Sequence, residues 1–401
     1  MILILALTAV LLSPANAAGV PGAAAKKALA SGIRSYHRLD LQGALSHFDS
    51  AIAAFPGWKT ASGFRAACRQ TLGDAAGARE DATLASKLKP MDAQSYAARG
   101  KARLTLREYD GALADFKAAQ EADASSVEGP LGVGSVLSAQ GKTREALKAL
   151  DEAVRVDPQS AAALLLRGSV KDRLRDFRGA ADDYGSVAEI NPKFAWARLY
   201  RGKSLREMKD YRGSERELSA FLDAEPDHED ASYLRSNVRF LLGDYRGAVA
   251  DLTKVISLDP RKGLAYTNRG LARAQLGEKD GALSDLRKAL ELDPSRRDKI
   301  QAAIDSIGSS SAADEPPPAP ARARAALAPP SDEPADGPAT VTIEDQGSDR
   351  APRRPKAPTA DLDDSLPAPA KTSPDAAPAK RGKHEIPAEQ NNGEENSQFI
   401  Q

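Results

Sequence analysis

Cysteine is nearly absent: Cys68 is the only one in 401 residues. That excludes an intramolecular disulfide framework and a thiolate metal cluster. Histidine is almost as scarce, and His37, His47, His228 and His384 stand in no H-E-x-x-H spacing, so no metal site is expected. Aromatic residues make up 5% of the chain while alanine is abundant, which favours helix over strand. Neither sign of charge is in excess, with 56 Lys+Arg against 56 Asp+Glu, which argues against a strongly basic nucleic-acid binder. Catalytic motifs are missing as well. There is no Gly-x-Ser-x-Gly elbow. Gln140-Gly141-Lys142-Thr143 looks like the end of a phosphate loop, but the required earlier glycine is Val136. Cys68 sits beside Ala66 and Ala67 with no histidine placed near it, and is read as a buried small residue rather than a nucleophile. Asp182-Asp183 reads as a pair of ordinary exposed helix residues. No enzyme activity, cofactor or nucleic-acid partner is expected.

Long apolar runs are missing too, apart from the eleven residues Ile2–Leu12. A membrane span needs about 20. The run ends in Ala15-Asn16-Ala17, the small-x-small pattern cut by signal peptidase, although no Lys or Arg precedes it. Residues 1–17 are therefore expected to be a signal peptide cleaved after Ala17, with an apolar first strand or helix as the alternative. No cysteine lies near residue 18, so lipid anchoring there is not expected. The mature protein is expected to be exported, in the periplasm or secreted.

What the chain does have is a period. Pro56, Pro90, Pro158, Pro192, Pro226, Pro260 and Pro294 fall on a 34-residue ruler, with Ala124 in the missing register. Twelve residues before each register stands a small residue: Ala44, Ala78, Ala112, Ala146, Ala180, Ser214, Ala248 and Ala282. Twelve before those stand Gly32, Ala66, Gly100, Gly134, Gly168, Gly202, Ser236 and Gly270. Between the two columns a turn recurs, as in Asp176-Phe-Arg-Gly-Ala180, Asp210-Tyr-Arg-Gly-Ser214 and Asp244-Tyr-Arg-Gly-Ala248. Gly73, Gly141, Gly243 and Gly277 precede such turns, where a left-handed residue is wanted.

These columns resemble the tetratricopeptide repeat. Eight repeats fit, at 25–58, 59–92, 93–126, 127–160, 161–194, 195–228, 229–262 and 263–296; the tryptophan column of the motif is mostly lost. The resemblance implies an all-α, right-handed superhelical solenoid of helix pairs, A then B, in which each repeat touches only its neighbours. Helices of about 13 residues are too short to be stable alone, so stacking must hold them. Residues 295–307, with Ile300, Ile304 and Ile307 on one helical face, are expected to cap the last repeat.

The resemblance also implies a concave groove made by helix A at positions 2, 5, 9 and 12, helped by position 34. Carried onto this chain, those columns place Leu131, Leu165, Phe194, Trp196, Leu199, Lys203, Arg206, Tyr233, Asn237 and Phe240 as the partner-binding groove. The leucines either bind there or pack between neighbouring A helices. No helix A carries the Lys and Asn pair with which some family members grip a carboxylate: Asn237 is preceded by Tyr233, and Lys203 by Leu199. An apolar, aromatic groove flanked by Lys203 and Arg206 suits a protein or peptide segment with an acidic flank.

From Gly308 to Gln401 the composition changes. These 94 residues hold 16 of the 26 prolines and a net charge of −6, with no helical periodicity. Such a segment buries too little apolar surface to offset its ordering entropy and is expected to be a disordered tail. Val341-Thr-Ile343 and Phe399-Ile400 are its two candidate docking patches. The reading is of an exported, non-catalytic scaffold. An assembly factor of an envelope or secretion complex is one alternative, and a regulatory subunit or cryptic hydrolase is another.

Overall fold

The structure is a computed structural model and describes residues 20–309. The expected leader at 1–17 and the segment 310–401 lie outside the described residues. Among the described residues there are seventeen α-helices and no strands. The first six pairs are α1 (Ala23–His37) with α2 (Leu41–Ala54), α3 (Lys59–Thr71) with α4 (Ala75–Ser86), α5 (Ala93–Thr105) with α6 (Tyr109–Ala122), α7 (Glu128–Ala139) with α8 (Thr143–Val156), α9 (Ala161–Arg173) with α10 (Phe177–Ile190), and α11 (Trp196–Glu207) with α12 (Tyr211–Ala224). Then follow α13 (Glu229–Leu241) with α14 (Tyr245–Leu258) and α15 (Gly263–Gln275) with α16 (Lys279–Leu292). A short 3-10 turn, Pro294–Arg296, leads into α17 (Arg297–Ser309). The chain is all-α, and its helix pairs pack consecutively as in a tetratricopeptide solenoid.

The recurring turn has a local cause. Asp40, Asp74, Asp176, Asp210 and Asp244 each accept a hydrogen bond from the backbone N–H three residues on, at 2.9–3.1 Å, and so start a B helix. An aspartate cap of this kind contributes about 1 kcal/mol. The residue before each cap is left-handed. Gly73, Gly141, Gly243 and Gly277 take φ of +75° to +84°, while Leu39, Arg107, Arg175 and Lys209 take +58° to +64° in the equivalent turns.

The small-residue columns sit where A and B helices approach. A Cβ at Gly168 would lie 2.7 Å from a carbon of the Tyr184 ring, and one at Gly134 would lie 2.6 Å from Leu150. Ser214 fits the alanine column because its hydroxyl donates to the Gly202 carbonyl at 2.7 Å. Gly168→Leu should therefore overpack the fifth repeat and cost about 1–3 kcal/mol. Urea unfolding followed by helical circular dichroism checks this, and an unshifted midpoint would overturn the A-against-B register.

The chain divides into two compact units, the first running to Ala231 and the second starting at Ser232. In the first, clusters around Phe48 and Phe64, around Leu150 and Val170, and around Leu164, Tyr184 and Phe194 follow one another along the repeats. In the second, Leu252, Val255 and Ala265 pack together, and α17 lays Ile300, Ile304 and Ile307 against Leu286 and Ala289.

The nearest-neighbour expectation fails at one place. In the first unit the end of α1 meets the fourth and fifth repeats: His37 reaches Glu128, Leu39 packs among Ala161, Leu164, Leu165 and Phe194, and the Arg38 carbonyl accepts from Asn191 Nδ2 at 2.9 Å. The inner face of the first five repeats is thereby closed across by the α1–α2 turn.

Candidate functional site

A helices of the first unit supply the lining of an inner face. In the first unit the ends of α1, α3, α5, α7 and α9 surround a cavity of about 150 Å³. Its wall carries Ala67, Lys101 and Ser135 from position 9 of successive repeats, Gln70 and Leu104 from position 12, and Leu131 and Leu165 from position 5. Leu39 and Phe194 close it on the side of the α1–α2 turn. Three hydroxyls on the wall are turned back on their own helices: Thr71 donates to the Ala67 carbonyl, Thr105 to that of Lys101 and Ser135 to that of Leu131, at 2.8–3.0 Å.

A buried charge cluster lies beside this cavity. Glu128, at the start of α7, places Oε1 2.8 Å from His37 Nε2 and Oε2 3.0 Å from Lys101 Nζ. All three residues are 6–7% exposed. The Lys101 ammonium also stands over the Tyr36 and Phe64 rings, 4.9 and 5.5 Å from their centroids. Burial alone would push the Glu128 carboxyl up, but Lys101 and His37 outweigh it and hold it at about 2. Burial works against the charged Lys101 ammonium, and Glu128 reverses this so that its pKa is raised. The cluster joins α1, α5 and α7, so it is part of the closure.

The groove residues expected from the sequence divide into three groups. Leu131, Leu165 and Phe194 come together on the cavity wall, each 4–8% exposed, where they meet Leu39 or its neighbours instead of open solvent. Leu199 is 1% exposed and packs as core. Trp196 lays its ring against Phe221 and His228, 5.5 and 5.4 Å between centroids, and is half-buried.

Lys203 and Arg206 follow on α11. Arg206 pairs with Glu207. Lys203 is half-buried, its Nζ 6.0 Å from the Tyr200 ring centroid, and no carboxylate oxygen among the described residues lies within 4.0 Å of it. Burial lowers its pKa, against the more distant pull of Asp230. Asp172 is no ion-pair partner for it. That carboxylate accepts from Ser204 Oγ at 2.8 Å and Tyr184 Oη at 2.9 Å, and burial pushes its pKa up.

In the second unit, Tyr233 and Asn237 are tied to one residue: Asn268 Nδ2 donates to Tyr233 Oη and to Asn237 Oδ1, both at 3.0 Å. Lys262 Nζ stands 5.1 Å from the Tyr233 ring centroid. Phe240 packs edge-on against Tyr245 at 5.2 Å.

Two features escaped the sequence reading. One is Lys101 with Glu128 and His37, which lie 27 to 91 residues apart with no repeating spacing. The other is an ion-pair ladder. Asp81, Asp115, Asp183, Asp251 and Asp285 on B helices each bind two cations of the preceding A helix: Arg65 and Arg69, Arg99 and Arg103, Arg167 and Lys171, Arg235 and Arg239, Arg269 and Arg273. Asp183 is thus not the exposed residue expected: it is 4% exposed, because its position on α10 faces Arg167 and Lys171 on α9, while Asp182 beside it is exposed. The spacing is periodic, cations at repeat positions 7 and 11 and aspartate at 23, so a column-by-column reading could have found it. Cys68 is fully buried, its thiol donates to the Leu41 carbonyl at 3.2 Å, and burial pushes its pKa up to about 12.

Tetratricopeptide-repeat family models match residues 134–195 and 199–245, 229–262, and 263–296. A comparison with curated proteins returned no match to the chain. Among solved structures, Cut9-Hcn1 of the APC/C hetero-tetramer matches with a TM-score of 0.51 at 14% identity, over 70% of this chain and 55% of that one. YrrB, described as a TPR protein with an unusual peptide-binding site, gives 0.45 at 19% identity, over 47% of this chain and 97% of that one. MamA from Desulfovibrio magneticus RS-1 gives 0.40 at 21%, over 42% and 96%. At 14% identity the first of these supports the fold alone. Eight helix pairs on a 34-residue period, together with the family matches, show that the chain carries tetratricopeptide repeats.

Proposed function

We propose that this chain is an exported, non-catalytic scaffold of the cell envelope that binds a partner segment with an apolar anchor and an acidic flank. Tetratricopeptide-repeat proteins are generally protein-interaction scaffolds. The observation that carries the acidic flank is Lys203: a half-buried ammonium on α11 for which no described carboxylate serves as an ion-pair partner. A cation held in this way is poorly solvated and unpaired, so an incoming carboxylate gains more there than at an open surface lysine. Trp196, two turns earlier on α11, offers the aromatic contact for the anchor.

The test uses labelled peptides with one phenylalanine or leucine anchor, flanked either by two glutamates or by two lysines. Glutamate-flanked peptides should bind more tightly, and more weakly as salt rises. Lys203→Glu should reverse the preference, with a change of about tenfold for the glutamate peptides. An unchanged preference in that variant would remove Lys203 from the site. Export is tested separately. Envelope-fraction protein should begin at Ala18, and a retained Met1 would overturn the leader reading.

A further inference from the structure

Leu39 is out of character for its place. It holds the left-handed position of the A-to-B turn, which its sister turns fill with Gly73, Arg107, Gly141, Arg175, Lys209, Gly243 and Gly277. Those seven are all exposed, whereas Leu39 is 8% exposed. A β-carbon is unfavourable at positive φ, and a large apolar side chain at a turn tip has nothing of its own repeat to bury against. Here it is buried by distant repeats, in a socket formed by Ala161, Leu164, Leu165 and Phe194. Its neighbours are fastened to the same region. The Arg38 carbonyl accepts from Asn191 Nδ2, His37 Nε2 meets Glu128, and His37 Nδ1 lies 3.4 Å from Ser160 Oγ.

We infer that the α1–α2 turn is an autoinhibitory latch: Leu39 occupies a socket on the inner face of the fifth repeat that a leucine-bearing partner segment would otherwise fill. The seated turn shows what the socket accepts, an aliphatic side chain with a main-chain carbonyl beside it for Asn191. Opening the latch would also uncover the cavity, since Leu39 and Phe194 form part of its wall. The inference rests on the scaffold reading only for the partner being a protein segment, because the socket itself is tested with a probe.

The variant is Leu39→Gly in the full chain. Glycine takes a φ of +58° without strain, as four sister turns already do, so the turn is kept and only the plug is removed. The probe is a labelled peptide with the sequence of residues 35–42. It should bind Leu39→Gly at least tenfold more tightly than the wild-type chain, and lose that gain when its own leucine corresponding to Leu39 becomes glycine. Asn191→Ala, which removes one fastening and leaves the hydrophobic packing intact, should give a smaller gain of about threefold; it decides the matter if Leu39→Gly loses helix. Equal affinity for wild type and both variants, or no binding to any, overturns the latch. Lys203→Glu should leave probe affinity unchanged, so the failure of the acidic-flank reading would be seen separately.

Discussion

Glu128→Ala is expected to destabilise the first unit by about 3–5 kcal/mol, the range for stripping one partner from a buried ion pair. Among the described residues the lost carboxylate is the only one within 4.0 Å of the Lys101 ammonium, which is itself 6% exposed. The Tyr36 and Phe64 rings cannot replace it, since a ring quadrupole contributes only about 0.5–2 kcal/mol to a cation. The loss should also spread. Glu128 joins the first repeat to the third and fourth, so the α1–α2 pair should loosen along with α7. Urea unfolding with helical circular dichroism reads the first effect, and hydrogen exchange over residues 23–54 reads the second. Pairing Glu128→Leu with Lys101→Met should recover most of the stability, because it removes both charges and keeps volume. A single mutant within about 1 kcal/mol of wild type would show that the cluster is solvated in solution.

The same cluster sets a pH dependence whose sign follows from the direction of each shift. The Glu128 carboxyl is held at about 2 against an ordinary 4.5. Its contribution is therefore complete above about pH 4.5 and is lost as pH falls through about 2. Lys101 is raised above its ordinary 10.5, so its contribution is complete below that pH and is lost as pH climbs through the raised value. The acid limb of the unfolding curve between pH 4.5 and 2 should flatten in the Glu128→Leu, Lys101→Met double variant.

Features that repeat were legible in the sequence, and features that occur once were not. Proline, alanine and glycine columns gave the helix pairs because each column is a steric demand made eight times over: a stop, a close approach, a left-handed turn. The closure of the first unit is made once, by contacts such as Asn191 to Arg38 that span 153 residues, and no period announces it. A trace was nevertheless there. Leu39 is apolar in a column otherwise filled by glycine, arginine and lysine, and such a residue needs a burial site outside its own repeat. The candidate groove was legible by position but not by exposure. In the first unit positions 5 and 9 contribute to the cavity wall, yet Leu165 packs with Leu39 of the crossing turn, and Leu131 and Leu199 are consumed by packing. Lys203 stands out only once burial and charge partners are known together, which a column of residue types does not contain.

Asp115→Ala should be the costliest single change in the ion-pair ladder, at about 3 kcal/mol. Asp115 is 2% exposed and accepts two hydrogen bonds from Arg99, at 2.9 and 2.6 Å, and one from Arg103 at 2.9 Å. A forked guanidinium contact of this kind is among the stronger polar interactions a protein makes. The arginine side chains are 20% and 26% exposed, so they can turn part of their charge to water; this keeps the cost at the lower end of the buried-pair range. Asp182→Ala on an exposed helix face is the control, expected within about 0.5 kcal/mol of wild type. The fourth repeat shows how the ladder can be dispensed with. At the three equivalent positions it carries Val133, Leu137 and Ala149, which pack into one apolar cluster. Arg99→Val, Arg103→Leu and Asp115→Ala together copy that solution into the third repeat. Since replacing a buried ionic group by well-packed apolar side chains is often neutral or stabilising, the triple variant should unfold at a higher urea concentration than Asp115→Ala alone. If it unfolds at the same concentration or below, the third repeat needs its charges in a way the fourth does not, and the two sets of positions are not interchangeable.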